Sequence, residues 1–401
     1  MVHFKETAGA RINLEMLGLD QGGHLLVNRA LGSMASGEGL HIMGTAPDLL
    51  MHLRVFARKY GHAFDERTQT IIKGTADHDR WGSAVRVGSV DANAVGGVVD
   101  HPLQSWGLAA RGSLVELGGA DFDFTLLEKN TVWSDDAHFI YRQALSAQWD
   151  PETAVDWGQV VDLPPEIEGA VVQIMTYLIE NETVALMVPA RFLGQIHPHF
   201  REIMQLLAIQ AADEARHIEV FTRRAGLKGH KLGISTVGGQ ASLKTLLEEP
   251  DFALAMFLLS VLGEGTFLSL LAYLHKYAPD KITARICRLA MQDEARHVAF
   301  GLAHLERHVK CDSTLLARLA GAIERRHSAL QHTSGLNEEV FDALVLLGAG
   351  NYKPASIAEG YARVMELQNQ MDLGRQQRLT RLGFTAEQSR DLSALHTRNF
   401  M

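Results

Sequence analysis

Two copies of the pentapeptide Asp-Glu-Ala-Arg-His carry the residues best suited to chemistry in this 401-residue chain. They occupy positions 213–217 and 293–297, and each copy places a glutamate three residues before a histidine. On an α-helix such residues lie on one face and can hold one metal ion together. A single Glu-x-x-His is weak evidence, because chance produces it often. Two identical copies in apolar helical segments indicate a paired metal site.

A dinuclear carboxylate site also needs one glutamate from each of two other helices. Glu182 lies 32 residues before Glu214, and Glu264 lies 30 residues before Glu294. Two antiparallel helices bring such a pair to one height if the turn falls midway. The midpoints, positions 198 and 279, are both prolines. The chain therefore predicts six metal ligands: Glu182, Glu214, His217, Glu264, Glu294 and His297.

Glu180 competes with Glu182 for the first ligand position. The helix face that carries Glu182 is apolar, whereas Gln173, Thr176 and Thr183 make the face of Glu180 polar. We therefore interpret Glu182 as the ligand and Glu180 as a solvated residue.

Glu264 is the single charge in Phe252–Leu274, which is otherwise long and apolar enough to span a bilayer. A helix buried inside a bundle is the alternative that we adopt. In either setting an ionised carboxylate is very costly unless it is paired or binds metal. Gly263 and Gly265 flank it, which indicates a π-bulge or open space beside the carboxylate.

The donor set indicates the metal. Four carboxylates offset two divalent cations, and oxygen and imidazole ligands suit iron or manganese, so we expect two iron ions, with manganese or a mixed Mn/Fe pair as alternatives. Asp213 and Asp293 are predicted to orient the histidine rings, and Arg216 and Arg296 to brace those aspartates. The competing interpretation is a decayed internal repeat, or exposed helix faces that bind nothing.

Composition narrows the function classes. The chain is 46% hydrophobic and 21% charged, with a net charge of −9, so we expect a globular protein without electrostatic affinity for nucleic acid or anionic lipid. Two cysteines are too few for a disulfide framework or a four-cysteine iron site. The N-terminal residues lack the apolar core of a signal peptide, which predicts a cytoplasmic protein. Four other histidines are not expected to bind the metal: His197 and His199 are predicted to be exposed to solvent, and His304 and His308 to be surface or interface residues.

The pattern divides the chain into a mainly α-helical part and a small α/β part. We predict four regions: an α/β domain (1–75), a connector with loops and some strands (76–136), a di-metal helical bundle (137–310) and a helical extension (311–401). In the first region we predict strands at Arg11–Leu17, Leu40–Met43 and Gln69–Lys73 and helices at Gly23–Met34 and Pro47–Tyr60. In the last we predict helices at Ser313–His332, Glu338–Leu347, Ala355–Gln377 and Ala386–His396.

The six-ligand pattern of residues 137–310 resembles the ferritin-like di-iron carboxylate superfamily, which includes monooxygenases, acyl desaturases and ribonucleotide reductase small subunits. The resemblance implies a four-helix bundle in which Gly226–Pro250 is the long crossover. It also implies that two ferrous ions reduce O2 and oxidise a substrate bond.

Three subfamilies match this chain poorly. Phe221 stands where the ribonucleotide reductase subunit places its radical tyrosine. Leu268 stands where bacterial multicomponent monooxygenases tend to have threonine, and Thr266 is the nearest hydroxyl. Ala290 replaces the third histidine of the arylamine N-oxygenases.

We therefore expect an oxygenase or oxidase that hydroxylates, N-oxygenates or desaturates an organic small molecule. Electrons would come from a separate reductase or ferredoxin, because the chain has no flavin, NAD or iron–sulfur motif. We also expect a homodimer without a membrane span. One alternative is a ferroxidase or iron-storage protein. Another is a metal-bound scaffold whose N-terminal domain docks a partner.

The first region resembles the TusA/SirA-like family of sulfur-carrier domains. The resemblance rests on Gly18-Leu19, Asn28–Leu31, Gly44–Asp48 and Phe56–His62. That family works through a Cys-Pro-x-Pro motif, whose four places are Gln-Gly-Gly-His at positions 21–24 here. Without a thiol, persulfide transfer is not expected, and the fold would serve docking, dimerisation or as a lid.

Overall fold

The computed structural model describes residues 10–75, 81, 83–229, 231–331 and 338–395. They form two compact units. One comprises the described residues up to 90 together with 112–120, and the other comprises 91–111 together with the described residues from 121 onward. The four predicted domain boundaries remain predictions.

The first unit contains a four-stranded mixed sheet with two helices. Its strands are β1 (Ala10–Asn13), β2 (Gly39–Met43), β3 (Ala63–Asp65) and β4 (Thr70–Ile72), and its helices are α1 (Gly23–Gly32) and α2 (Leu49–Lys59). The strand order is β1-β2-β4-β3, with β1 parallel to β2 and the other pairs antiparallel. Alternate strand residues are buried against the helices, because successive side chains of a strand point to opposite faces.

The predicted elements of this unit are present, all with shorter bounds except β2, which begins one residue earlier than predicted. The predicted strand Arg11–Leu17 ends at Asn13, because Glu15 has a positive φ of 53° that turns the chain out of the sheet. Strand β3 was missed, since three residues are too few for a periodic pattern. A two-stranded ribbon of β5 (Val85–Arg86) and β6 (Leu114–Val115) lies in the predicted connector.

The second unit is an α-helical bundle. It begins with the short α3 (Lys129–Val132), α4 (Ala137–Ser146) and α5 (Pro151–Ala154). Its core helices are α6 (Pro165–Leu193), α7 (Arg201–Gly226), the Glu264 helix (Phe252–Tyr277) and α11 (Lys281–Cys311). The Glu264 helix has three parts: α9 (Phe252–Met256), a π-helical segment (Phe257–Glu264) and α10 (Gly265–Tyr277). The mainly α-helical fold class is thus confirmed, with a small sheet at the N-terminus.

The two predicted turns fall where the prolines stand. Pro198 begins a 3₁₀ turn between α6 and α7, and Pro279 lies between the Glu264 helix and α11. Asp280 then begins α11, because its carboxylate accepts a hydrogen bond from the Thr283 amide at 2.8 Å. Two antiparallel helical hairpins result.

The crossover between the hairpins includes the helix α8 (Val237–Leu247), and four helices follow the bundle: α12 (Leu315–Leu330), α13 (Glu338–Ala349), α14 (Pro354–Leu382) and α15 (Ala386–Ala394). Of these, α13 packs on α6, and α14 packs on α10 and α11. The predicted C-terminal helices are therefore present, and they cover the bundle.

Within the described residues, two helices are long and apolar enough to cross a membrane: α6 and the Glu264 helix. The most apolar windows of these helices are 72% and 89% buried inside the protein, respectively. Core helices of soluble proteins pass the same test of length and composition, so this is weak evidence for a membrane span.

Candidate metal centre

The six predicted ligand side chains meet in the middle of the bundle, one or two from each core helix. They form two groups of four, in each of which the candidate ligand atoms lie within 4.8 Å of one another. The groups are Glu182, Glu214, His217 and Glu294, and Glu214, Glu264, Glu294 and His297. Glu214 and Glu294 belong to both groups, so two carboxylates lie between two positions that could each hold an ion.

The histidines present the same nitrogen to the carboxylates. Nδ1 of His217 lies 3.0 Å from Glu214 and 3.5 Å from Glu294, and 3.7 Å from Glu182. Nδ1 of His297 is 3.1 Å from Glu214, 3.4 Å from Glu294 and 3.9 Å from Glu264. Two helices thus supply Glu-x-x-His, and two supply single glutamates.

This is a ferritin-like arrangement. The fold and the ligand pattern both have that form: two helical hairpins joined by a long crossover, with the acidic cluster inside.

Solved structures with low sequence identity are similar to this chain. A protein from Synechococcus with aldehyde deformylating oxidase activity is 17% identical, covering 59% of this chain and 98% of its own, with a TM-score of 0.40. A variant R2-like ligand-binding oxidase with an aerobically reconstituted Mn/Fe cofactor is 19% identical, covering 64% and 94%, with a TM-score of 0.46. The R2-like ligand-binding oxidase from Sulfolobus acidocaldarius is 15% identical, covering 63% and 93%, with a TM-score of 0.37. No family model and no curated protein matches the chain.

The buried polar atoms of the cluster do not satisfy one another by hydrogen bonds, and they are suited to bind metal ions. All six residues are at most 4% exposed. Among the described residues, six buried atoms of the cluster have no hydrogen-bond partner: Glu182 Oε1, Glu214 Oε1, Glu264 Oε2, Glu294 Oε1 and Oε2, and His297 Nδ1. Unpartnered buried acceptors are costly, and cations would satisfy them.

The pKa values follow from this crowding. Burial, with the nearby charges of Glu214 and Glu294, raises the pKa of Glu182 well above its usual range. Burial and Glu294 do the same to the pKa of Glu264. Burial alone would lower the pKa of His217, but its acidic neighbours raise it well above the usual value. Two divalent cations would displace the protons of these carboxyl groups and supply the positive charge that the buried carboxylates need.

The aspartate of each pentapeptide lies next to the histidine of the other pentapeptide. Asp293 Oδ2 lies 3.1 Å from His217 Nε2, and Asp213 Oδ2 lies 3.2 Å from His297 Nε2. Each pentapeptide thus orients the histidine of the other copy, and leaves Nδ1 of that ring facing the carboxylates.

The two arginines of the pentapeptides bind these aspartates. Arg216 donates to Asp213 at 2.5 Å and to Asp293 at 3.0 Å. Arg296 pairs with Asp293 and lies 3.7 Å from Asp213. The arginines therefore offset the aspartate charges on the far side of the histidine rings from the cluster.

Three further residues at the site were missed. Gln210 Nε2 donates to Glu264 Oε1 at 2.9 Å, and its position one turn before Glu214 was a usable signal. Gln148 donates to Asp213 at 2.8 Å and Trp149 Nε1 donates to Asp293 at 2.7 Å. These two follow α4, and no spacing in the sequence links them to the bundle.

The π-helical segment ends at Glu264, as the flanking glycines indicated. Arg378 on α14 approaches it closely, and its Nε donates to the Val261 carbonyl at 2.7 Å. A Cβ at Gly265 would collide with the Arg378 guanidinium. Gly265 therefore provides the space through which an arginine binds a backbone carbonyl of the segment that presents Glu264.

Glu182, which we predicted as the first ligand in preference to Glu180, lies in the cluster. Glu180 is half-buried and belongs to neither candidate group.

The predicted solvent exposure of His197 and His199 was wrong. His197 and His199 are each 1% exposed, because the segment before α3 covers their turn: His197 Nε2 donates to the Leu103 carbonyl, and His199 Nε2 accepts from the Val99 amide. Burial, followed by the Arg111 charge, lowers the pKa of His199 to about 4.

His304 and His308 are also buried, at 0% and 4% exposure. The His304 ring lies among aromatic side chains, 5.2 Å from the centre of the Phe252 ring, and its Nδ1 lies 3.3 Å from the Trp133 carbonyl. Burial lowers the pKa of His304 to about 3. Both histidines are packing residues, and neither belongs to a candidate metal group.

A cavity adjoins the metal cluster. Its empty space, counted together with the open solvent at its mouth, is about 320 Å³, and Glu182, Glu264 and Glu294 lie on its wall. The rest of the wall is almost wholly apolar and includes Ala185, Leu243, Leu246, Leu259 and Phe267, with Asn181 as the neutral polar residue. An apolar space beside a candidate redox site suits a small organic molecule.

Proposed function

We propose that this protein is an O2-dependent oxidoreductase that uses two metal ions, iron or a mixed Mn/Fe pair, to oxidise an organic small molecule. The observation that carries the proposal is the pair of buried four-residue groups that share Glu214 and Glu294. Hydroxylation, N-oxygenation and desaturation are the reaction types that we propose for it, with electrons from a separate reductase or ferredoxin.

Glu182 and His217 would hold one ion, Glu264 and His297 the other, and Glu214 and Glu294 would lie between them. Bound there, the ions supply the redox chemistry that reduces O2. Asp293 and Asp213 accept the Nε2–H protons of the two histidines, which keeps the Nδ1 lone pairs available as donors.

The substrate would lie in the adjoining cavity. Its apolar wall excludes water and strengthens the electrostatic interactions of the cluster. The crossover helix α8 contributes Leu243 and Leu246 to that wall, so the connection between the hairpins also shapes the substrate site.

The test is an anaerobic Fe(II) titration followed by a pulse of O2. We expect two metal ions per chain and an optical change that depends on O2 and stops after one turnover without reductant. Glu182→Gln should reduce the metal content, whereas Glu180→Gln, the matched control two residues away, should not.

Two results would contradict the proposal. Metal content well below two per chain, or no optical change with O2, would exclude a dinuclear oxidase. Consumption of many ferrous ions per site with deposition of ferric mineral would instead identify the ferroxidase or iron-storage alternative.

A further inference from the structure

A side-chain amide from one hairpin holds a candidate ligand of the other hairpin. Gln210, on α7, donates from Nε2 to Glu264 Oε1 at 2.9 Å, and the two residues are buried, at 2% and 4% exposure. An ionised carboxylate only accepts hydrogen bonds, so the nitrogen of the amide is the atom that must face it. Glu264 Oε2 has no hydrogen-bond partner among the described residues and is therefore free to bind an ion.

The other single glutamate lacks such a donor. The residue four positions before the pentapeptide glutamate is Gln210 in α7 but Ala290 in α11, and Ala290 is wholly buried and has only a methyl group. Glu182 Oε1 has no hydrogen-bond partner in the described part of the chain, and Oε2 lies 3.7 Å from Nδ1 of His217. The two candidate metal positions thus share two carboxylates but differ in how the remaining glutamate is held.

Packing does not explain a glutamine at position 210. Its Oε1 is buried and makes no hydrogen bond within the residues that the structure describes. A buried polar atom without a partner is costly, and leucine or methionine would fill a similar volume without that cost. The amide is therefore best explained by the hydrogen bond that its nitrogen donates to Glu264.

We propose that Gln210 is a positioning residue: it holds the Glu264 carboxylate in one orientation, so that the position formed with His297 is the tighter of the two metal positions and fills first. This inference deepens the proposed function, because it rests on the same metal centre. Losing the hydrogen-bond partner of a metal ligand typically weakens metal binding about 10–100-fold. An ion at this position does not have to order the Glu264 side chain when it binds, whereas an ion beside Glu182 does.

Calorimetric titration of the metal-free protein with Mn(II), without O2, resolves the two positions. We expect two binding steps whose dissociation constants differ about tenfold or more. Gln210→Leu should weaken the tighter step about 10–100-fold and change the other step less than about threefold. Gln205→Leu is the matched control, because Gln205 is an exposed glutamine on the same helix, and it should titrate as the unmodified protein does.

Variants that keep one metal position each assign the effect to one ligand. In Glu182→Gln the position of Glu264 and His297 remains, so adding Gln210→Leu should weaken Mn(II) binding about 10–100-fold. In Glu264→Gln the position of Glu182 and His217 remains, and adding Gln210→Leu should change binding less than about threefold. A general loosening of the bundle would weaken both positions, so the difference separates positioning from a merely structural role.

Three results would overturn the inference and leave the proposed function intact, provided that two ions bind. They are an equal weakening of both steps in Gln210→Leu, an unchanged titration in that variant, and a weakening that persists when Glu264→Gln is also present. If Gln210→Leu does not fold, Gln210→Met takes its place. If the variants with one position do not fold, the comparison of the two steps decides.

The proposed function can fail separately. Two ions bound with the expected selectivity, but no optical change with O2, would overturn the proposed function and support the inference. Binding of a single ion would also contradict the proposed function. The inference then requires that ion to lie at Glu264, so that Glu264→Gln and Gln210→Leu weaken its binding and Glu182→Gln does not, and the opposite pattern overturns it.

Discussion

The two helical hairpins of the bundle carry the same pentapeptide but place it in different surroundings. In the first hairpin, Glu182 lies on the regular helix α6; in the second, Glu264 ends a π-helical segment that Arg378 binds from outside. Seven residues after the ligand histidines, the first hairpin has Arg224 in a buried ion-pair network and the second has the neutral His304. The ligand geometry is therefore repeated, whereas the means of supporting it are not.

The difference indicates which parts of the repeat are constrained by chemistry. Metal ligation requires fixed donors at fixed spacing, so both copies retain them. Packing requires only that volume be filled and that buried charge be compensated. In the first hairpin Arg224 is compensated by its acidic partners. In the second, the neutral His304 fills the space among aromatic rings.

The largest effect is expected from removing a ligand glutamate in either hairpin. If the proposed function is correct, Glu182→Ala and Glu264→Ala should each lower O2-dependent oxidation about a thousandfold or more, because the metal pair would supply the redox chemistry. Metal analysis and O2 uptake check this. Substantial activity in one variant only would mean that the hairpins do not contribute equivalent ligands.

The buried ion pairs of the first hairpin come next. Arg224→Met leaves Glu168 and Asp280 buried without their cation, so we expect a loss of about 3–5 kcal/mol in the free energy of unfolding. Urea denaturation followed by circular dichroism measures it. Arg223→Met, the adjacent control, removes a partly exposed pair with Glu152 and should cost about 1 kcal/mol or less. Equal losses of unfolding free energy in the two variants would show that the buried ion pairs stabilise the fold no more than the exposed pair does.

Two glycine substitutions compare the hairpins directly. Gly265→Ala should lower the free energy of unfolding by about 1–3 kcal/mol and activity about tenfold, since the new methyl group displaces Arg378 from the Val261 carbonyl. Gly169→Ala in α6, where a Cβ meets nothing within 4 Å, should stabilise by about 0.4–1 kcal/mol. Denaturation and steady-state assays measure both, and a neutral Gly265→Ala would refute the role assigned to the arginine.

The last prediction concerns a pH dependence in the second hairpin, which is negligible near neutral pH. The pKa of His304 falls from 6.5 to about 3 on folding, because burial disfavours its charged form. Its contribution to the free energy of unfolding is complete above pH 6.5 and is lost as the pH falls from there toward 3. The reason is that in this range the histidine binds a proton in the unfolded chain but not in the folded one. His304→Gln should make the unfolding free energy less dependent on pH by about 1.4 kcal/mol per pH unit at most. An unchanged slope between pH 6.5 and 4.5 would contradict this.

Spacing along the chain was sufficient to predict the helices, both turns and the six side chains that meet. Those features depend on helical periodicity and on the distance of each glutamate from a proline, which are local or nearly local properties. The glycines beside Glu264 predicted either a π-bulge or open space; a π-helical segment ends there, and Arg378 occupies the space beside Gly265.

Contacts between distant segments could not be predicted in this way. Trp149 binds Asp293 across 144 residues, and no periodicity links them. His197 and His199 looked exposed because a turn usually is, but a separate segment covers theirs. The TusA/SirA-like resemblance of the first region stays a prediction.

Neither hairpin contains a complete histidine–aspartate unit, because Asp213 holds His297 and Asp293 holds His217. A single hairpin of this kind could orient its histidine only against a second copy, so neither half of the bundle can position its histidine alone. A change in the aspartate of one pentapeptide is accordingly felt first at the histidine of the other.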